Sequence, residues 1–138
     1  MSNVVDNEIF KGKRVLIVED NTINAEVITS FLSMKEMEAD VVHDGEQAVE
    51  KFEKEPNGYY DAVLMDITMP VMSGVEASTI IRNLHKRDAK SVPIICVTAN
   101  DMFEDEFMAR RYGMDDYIAK PIEPDKLFTI LEKWFTKK

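Results

Sequence analysis

The stretch DAVLMDITMPVMSGVEAS, residues 61–78, decides the fold. From Asp61 to Met65 every position after the first is apolar, so both faces of this segment need cover, as in a central strand of a parallel sheet. Asp66 follows directly behind it. Further on, Ser73 and Glu76 have the spacing of a capping box that opens a helix, with Ala77, Ile80, Ile81 and Leu84 as its buried stripe. A two-sided strand feeding a capped amphipathic helix is half of a β-α-β unit.

The unit repeats in both directions. Upstream, Arg14 to Val18 is a first strand, and Asn21 or Thr22 caps a helix whose Ile23, Val27, Phe31 and Met34 share one face. Ala39 to His43 is a short edge strand, and Asp44 caps a second helix that turns Ala48, Val49 and Phe52 inward. Downstream, Pro93 to Val97 is a fourth strand. A weaker helix carries Phe103 and Phe107, with Arg110 and Arg111 near its end and Gly113 as its stop. Tyr117 to Ala119 is a fifth strand, and Pro124 stands in the first turn of a last helix that buries Leu127, Ile130, Leu131 and Trp134. Five strands alternating with five helices predict an α/β doubly wound parallel sheet, in a chain of 138 residues that is too short for an eight-fold barrel. Residues 1–11 are polar and unpatterned and are expected to be an N-terminal tail or linker, leaving 12–138 as one domain.

Composition narrows the class. With 45% hydrophobic and 31% charged residues the chain reads as an ordinary globular domain. It has no apolar run of bilayer length and no basic-then-apolar leader, which gives a cytoplasmic expectation without membrane contact. Its single cysteine, Cys96, falls in an apolar run and is expected to be packing rather than redox chemistry. A net charge of -9 argues against nucleic acid as a direct ligand. His43 and His85 lie far apart, show no ligand spacing and read as ordinary surface or strand-end residues.

Ligands in open α/β sheets bind beyond the carboxyl ends of the strands, where the winding reverses. Those ends carry Glu19 and Asp20, then Asp66, then Thr98, then Lys120. Singly, each has an ordinary explanation as a turn, a cap or a loop charge; in this order at successive strand ends they point to one site. Three carboxylates in one crevice repel one another, so a cation is needed to join them, and all-oxygen donors with room for water suit Mg2+ or Mn2+. A lysine ammonium and a threonine hydroxyl suit phosphoryl oxygens, and a carboxylate is a competent nucleophile at phosphorus.

The strings VLIVEDN, LMDITMPVMSG, PIICVTA and YIAKP resemble the response-regulator receiver family of two-component systems, over the chain from about Lys13 onward. The resemblance implies a flavodoxin-like strand order 2-1-3-4-5 and assigns roles residue by residue. Asp66 is implied as phosphoacceptor, with Thr98 and Lys120 contacting the phosphoryl oxygens. Metal ligation is implied for Asp20, Asp66, the backbone carbonyl of Thr68 and, partly through water, Glu19. It further implies a cis Lys120–Pro121 bond and a switch in which Thr98 moves toward the phosphate while Tyr117 turns inward. Met69 and Pro70 are expected to shape the loop after Asp66, and Gly74 to release the backbone into the next helix. The segments DNTINAEV and VPIICVTAN most resemble receivers attached to hybrid sensor histidine kinases. The partners implied are a histidine kinase or a histidine phosphotransfer domain docking beside Asp66 against the first helix, with the chain acting as a monomer. Two rivals share the architecture. A dehalogenase-type phosphatase needs a second carboxylate where Thr68 stands, and a flavin carrier needs a hydroxyl- and glycine-rich loop where the acidic pair stands.

Overall fold

The computed structural model describes residues 8–67, 73–98 and 111–136. Strands β1 (Arg14–Val18), β2 (Glu38–Val42), β3 (Ala62–Asp66), β4 (Ile94–Thr98) and β5 (Asp116–Ala119) form one sheet in the order β2-β1-β3-β4-β5, with every pairing parallel. Between them run α1 (Thr22–Met34), α2 (Gly45–Lys54), α3 (Gly74–Arg82), a short 3-10 turn (Asp88–Lys90) and, after β5, α4 (Pro124–Phe135). The helix expected to carry Phe103, Phe107 and Arg110 lies outside the described residues, as do Thr68, Met69, Pro70 and Asn100. Gly113, the expected helix stop, has φ 86°, a left-handed value that glycine adopts without steric cost.

Side chains alternate across a strand, so a sheet with helices on both faces builds two cores. Leu16, Val18, Val63, Met65, Ile94 and Cys96 pack on one face with Ala48, Phe52, Ala77 and Ile81 from α2 and α3. Val15, Ile17, Leu64, Ile95, Val97 and Ile118 pack on the other with Ile28, Leu32, Leu127 and Leu131 from α1 and α4. All five residues of β3 are buried, as the two-sided run at 61–65 required. The caps also form where the sequence placed them. Asn21 and Asp44 accept from the backbone N–H three residues on, and Ser73 with Glu76 makes the complete capping box.

Three local expectations are corrected. Of the α1 face shared by Ile23, Val27, Phe31 and Met34, Phe31 packs against the core, whereas the other three are 71%, 43% and 66% exposed and Ala25, Ile28 and Leu32 are buried instead. On α3, Ile80 is exposed and Ser78 takes an interior position, because Ala77, Ser78 and Ile81 are the side that meets the sheet. A helix can present two apolar stripes, and only packing selects which one is covered. The third concerns Phe10, expected in the tail. Its ring is buried between α1 and α4, with centroids 5.8 Å from Phe128 and 6.2 Å from Phe135. The ammonium of Lys35 lies above both Phe10 and Phe128, 5.9 Å and 5.2 Å from their centroids.

Phe10 therefore closes the second core at the pole opposite the strand carboxyl ends. Replacement Phe10→Ala is expected to cost about 3–5 kcal/mol of unfolding free energy, the usual range for deleting a buried aromatic ring. Urea unfolding measures this directly; a dispensable tail residue would leave the midpoint unchanged.

Candidate functional site at the strand carboxyl ends

The winding reverses between β1 and β3, and the polar residues collect at that reversal. Asp66 and Thr98 are the last residues of β3 and β4 rather than the residues after them: Asp66 is in register with Val97, and Thr98 with Ala119. The ladder outlasts the apolar run because backbone pairing is indifferent to the side chain it carries. Glu19, Asp66 and Thr98 are each only 2% exposed, whereas Asp20 is exposed.

The carboxylate oxygens of Glu19, Asp20 and Asp66 all lie within 4.8 Å of one another. Lys120 reaches into this cluster from the end of β5. Its Nζ donates to Asp66 Oδ2 at 2.9 Å and lies 3.6 Å from Glu19 Oε1. The Lys120 backbone N–H donates to the Thr98 carbonyl at 2.8 Å, so β4 and β5 place the lysine together, and the bond to Pro121 is cis as the resemblance implied. Gly74 opens α3 immediately behind the site. A Cβ there would stand 2.3 Å from the Asp66 carbonyl oxygen, so the start of α3 sits directly against the backbone of the site residue. Thr98 and Cys96 share a sheet face, and Tyr117 stands opposite Cys96 in register, half-buried against the same core.

Electrostatics follow from this crowding. Burial pushes the Glu19 carboxyl above its ordinary range, and the charge of Asp66 adds to that push. The Asn21 N–H, 3.2 Å from Glu19 Oε2, and the Lys120 ammonium pull the other way and do not win. Burial works against the Lys120 ammonium too, but its hydrogen bond to Asp66 and the two negative charges outweigh it and hold the ammonium above its usual value. Cys96 has its thiol pushed up to about 12, first by burial and then by Asp66, which keeps it un-ionised and inert as the sequence reading expected. Among the described residues three carboxylates face one ammonium, which leaves negative charge uncompensated, and the donors are all hard oxygens. This donor set fits a hard divalent cation.

One contact to this site had no signal in the sequence. His43, expected to be an ordinary residue, brings Nδ1 to 3.1 Å from the backbone carbonyl of Glu19. That meeting depends on the register of β1 against β2, which composition and spacing do not reveal.

Ionisation of Glu19 is linked to folding. Because its folded-state value is raised, the unfolded chain ionises first as pH climbs past the ordinary 4.5, and stability drains away over that interval. In chelator-treated protein, Glu19→Gln should gain stability relative to the parent as pH rises above the ordinary 4.5, with the two converging at lower pH. Denaturant midpoints across that range test it, and a gap that does not widen with pH would contradict the electrostatic account.

Comparison with known proteins agrees with this geometry. A family model described as "Response regulator receiver domain" matches residues 15–132. Curated relatives include hybrid signal transduction histidine kinase I of Dictyostelium discoideum, 36% identical over 91% of this chain and 7% of the relative. Another is the peroxide stress-activated histidine kinase mak1 of Schizosaccharomyces pombe, 37% identical over 87% of this chain and 7% of the relative. The chain thus spans about 7% of the length of the first relatives it matches. Among solved structures, the receiver domain of a Pseudomonas aeruginosa sensor histidine kinase has a magnesium ion coordinated in its active-site cleft. It is 38% identical, with a TM-score of 0.79 over 91% of this chain and 99% of that one. A Saccharomyces cerevisiae complex joins a histidine phosphotransfer signalling protein to the receiver domain of its downstream response regulator. It is 32% identical, with a TM-score of 0.78 over 91% of this chain and 90% of that one. With the fold, the acidic cluster and the lysine bridge in place, the chain belongs to the response regulator receiver domain family.

Proposed function

We propose that the chain accepts a phosphoryl group from a phosphohistidine onto Asp66 in a two-component phosphorelay. The observation that carries this reading is the Asp66 carboxylate at the end of β3, bound by Lys120 Nζ at 2.9 Å and flanked by the carboxylates of Glu19 and Asp20. In the transfer a carboxylate oxygen of Asp66 attacks phosphorus, an O–P bond forms, the N–P bond of the donor breaks, and the imidazole leaves. Lys120 stays beside the reacting carboxylate and neutralises charge on the transferring group, and the Thr98 hydroxyl donates to a phosphoryl oxygen. Glu19, Asp20 and Asp66, with the carbonyl of Thr68, would hold Mg2+, which when bound supplies charge neutralisation and a template for the phosphoryl oxygens. Tyr117 and Thr98 share a sheet face, which supports the proposed coupling of phosphorylation to a rotation of Tyr117.

The partner we propose is a histidine phosphotransfer domain or a histidine kinase, with this chain acting as a cytoplasmic monomer or as the receiver part of a longer sensor kinase. Support comes from the solved complex described above and from the uncovered apolar stripe on α1. Ile23 and Val27 are exposed, and Val27 borders a groove that continues through Asn24, Pro121 and Ile122 to Glu19 and Lys120. An apolar stripe beside the phosphoryl site gives a docking helix the contacts that place its histidine in line with Asp66.

Two outcomes test these roles separately. With Mg2+ and a small acyl phosphate donor, the parent should acquire one phosphoryl group by intact-mass analysis. Asp66→Asn should acquire none, and chelator should abolish labelling of the parent; equal labelling of Asp66→Asn would end the proposal. The docking surface is read differently. Val27→Glu and Ile23→Asp should label normally from the small donor yet slow transfer from a phosphorylated histidine phosphotransfer domain by about tenfold or more, as expected for charges placed in an apolar contact. Unchanged transfer would remove α1 from the interface.

A further inference from the structure

The backbone of Glu19 is held on both sides of its residue by the exit of β2. Its N–H donates to the Val42 carbonyl at 3.0 Å, and its own carbonyl lies 3.1 Å from His43 Nδ1. A carbonyl oxygen can only accept, so the proton between them sits on Nδ1. His43 is itself fixed from behind. Its backbone N–H donates to Gln47 Oε1 at 2.9 Å, and the Gln47 N–H donates to Asp44 Oδ1 at 2.8 Å. The chain of bonds therefore runs from the N-terminal cap of α2, through the His43 ring, to the peptide that joins Glu19 to Asp20.

That peptide is the hinge of the acidic pair. Glu19 turns its side chain inward to the Lys120 and Asp66 cluster, while Asp20 stands exposed at the mouth. The direction in which Asp20 leaves the backbone is set by the plane of the Glu19–Asp20 peptide, and His43 holds the oxygen that defines this plane. Nothing in the strand ladder does so, because β1 ends at Val18. Without the ring, the mutual repulsion of the three carboxylates acts on a loop with one fewer restraint.

We propose that His43 is a positioning residue for cation binding, acting through the Glu19 carbonyl rather than by touching the ion. This rests on the reading of Glu19, Asp20 and Asp66 as the cation site. Donation from Nδ1 is the property that matters, and an asparagine amide nitrogen occupies nearly the same place on the side chain, whereas a glutamine amide extends past it.

Titration of the intact domain with Mg2+ alone, followed by calorimetry, provides the test. His43→Ala and His43→Gln should each weaken Mg2+ binding by about tenfold, the lower end of what loss of an outer hydrogen bond to a metal site produces. His43→Asn should stay within about twofold of the parent, since it retains the donor. Urea midpoints measured in chelator should be nearly the same for all four proteins, because the His43 ring is exposed and the rest of the cap is untouched. His43→Ala binding Mg2+ like the parent would overturn the proposal while leaving the cation site standing, and so would His43→Asn losing as much affinity as His43→Ala. A parent domain that binds no Mg2+ would overturn both the cation site and this inference.

Discussion

Glu19 and Asp66 bring two carboxylates into a space almost closed to water, with Asp20 at its edge, and Lys120 is the cation that bridges the inner pair. Much of the architecture follows from keeping that arrangement in place. Glu19, 3.6 Å from the lysine, gains from its proximity but still resists ionisation, as its raised carboxyl records. A site of this kind is poised. It favours any event that adds positive charge to the cluster.

The fold answers the repulsion with backbone rigidity. Asp66 is held inside the ladder, paired in register with Val97, and α3 begins so close behind it that only a glycine fits at position 74. Lys120 is fixed through its own N–H to the Thr98 carbonyl, so the segments that carry this ammonium and the Thr98 hydroxyl share one backbone bond. Glu19 is tied to Val42 and His43 of the neighbouring strand exit. The charged groups thus stand at the ends of strands whose position was settled by hydrophobic packing of the sheet.

The opposite pole has a different task. Phe10, Phe128 and Phe135 seal the gap between α1 and α4, with the ammonium groups of Lys13 and Lys35 over the rings. On α3, Arg82 binds the carbonyls of Gly113 and Ala89 and the carboxylate of Asp115, which also accepts the N–H of Ile94. Burial depresses the Arg82 guanidinium, and Asp115 partly restores it, so this clamp works by spanning three segments with directional bonds rather than by excess charge. The result anchors the approach to β5 and with it the placement of Tyr117 and Lys120.

Sequence alone determined the order of strands and helices, because two-sided apolar runs and cap spacings are local signals: the run behind Asp66 and the Ser73–Glu76 box form as their residue types require. It also brought Glu19, Asp20, Asp66, Thr98 and Lys120 toward one place, since a doubly wound sheet gathers all strand ends on one side. The structure decided which of two apolar stripes on α1 faces the core, that Phe10 belongs to the core, and that His43 holds the Glu19 peptide. These share one physical reason. They depend on contacts between residues distant in the chain, and periodicity within a single helix or strand carries no information about what lies opposite.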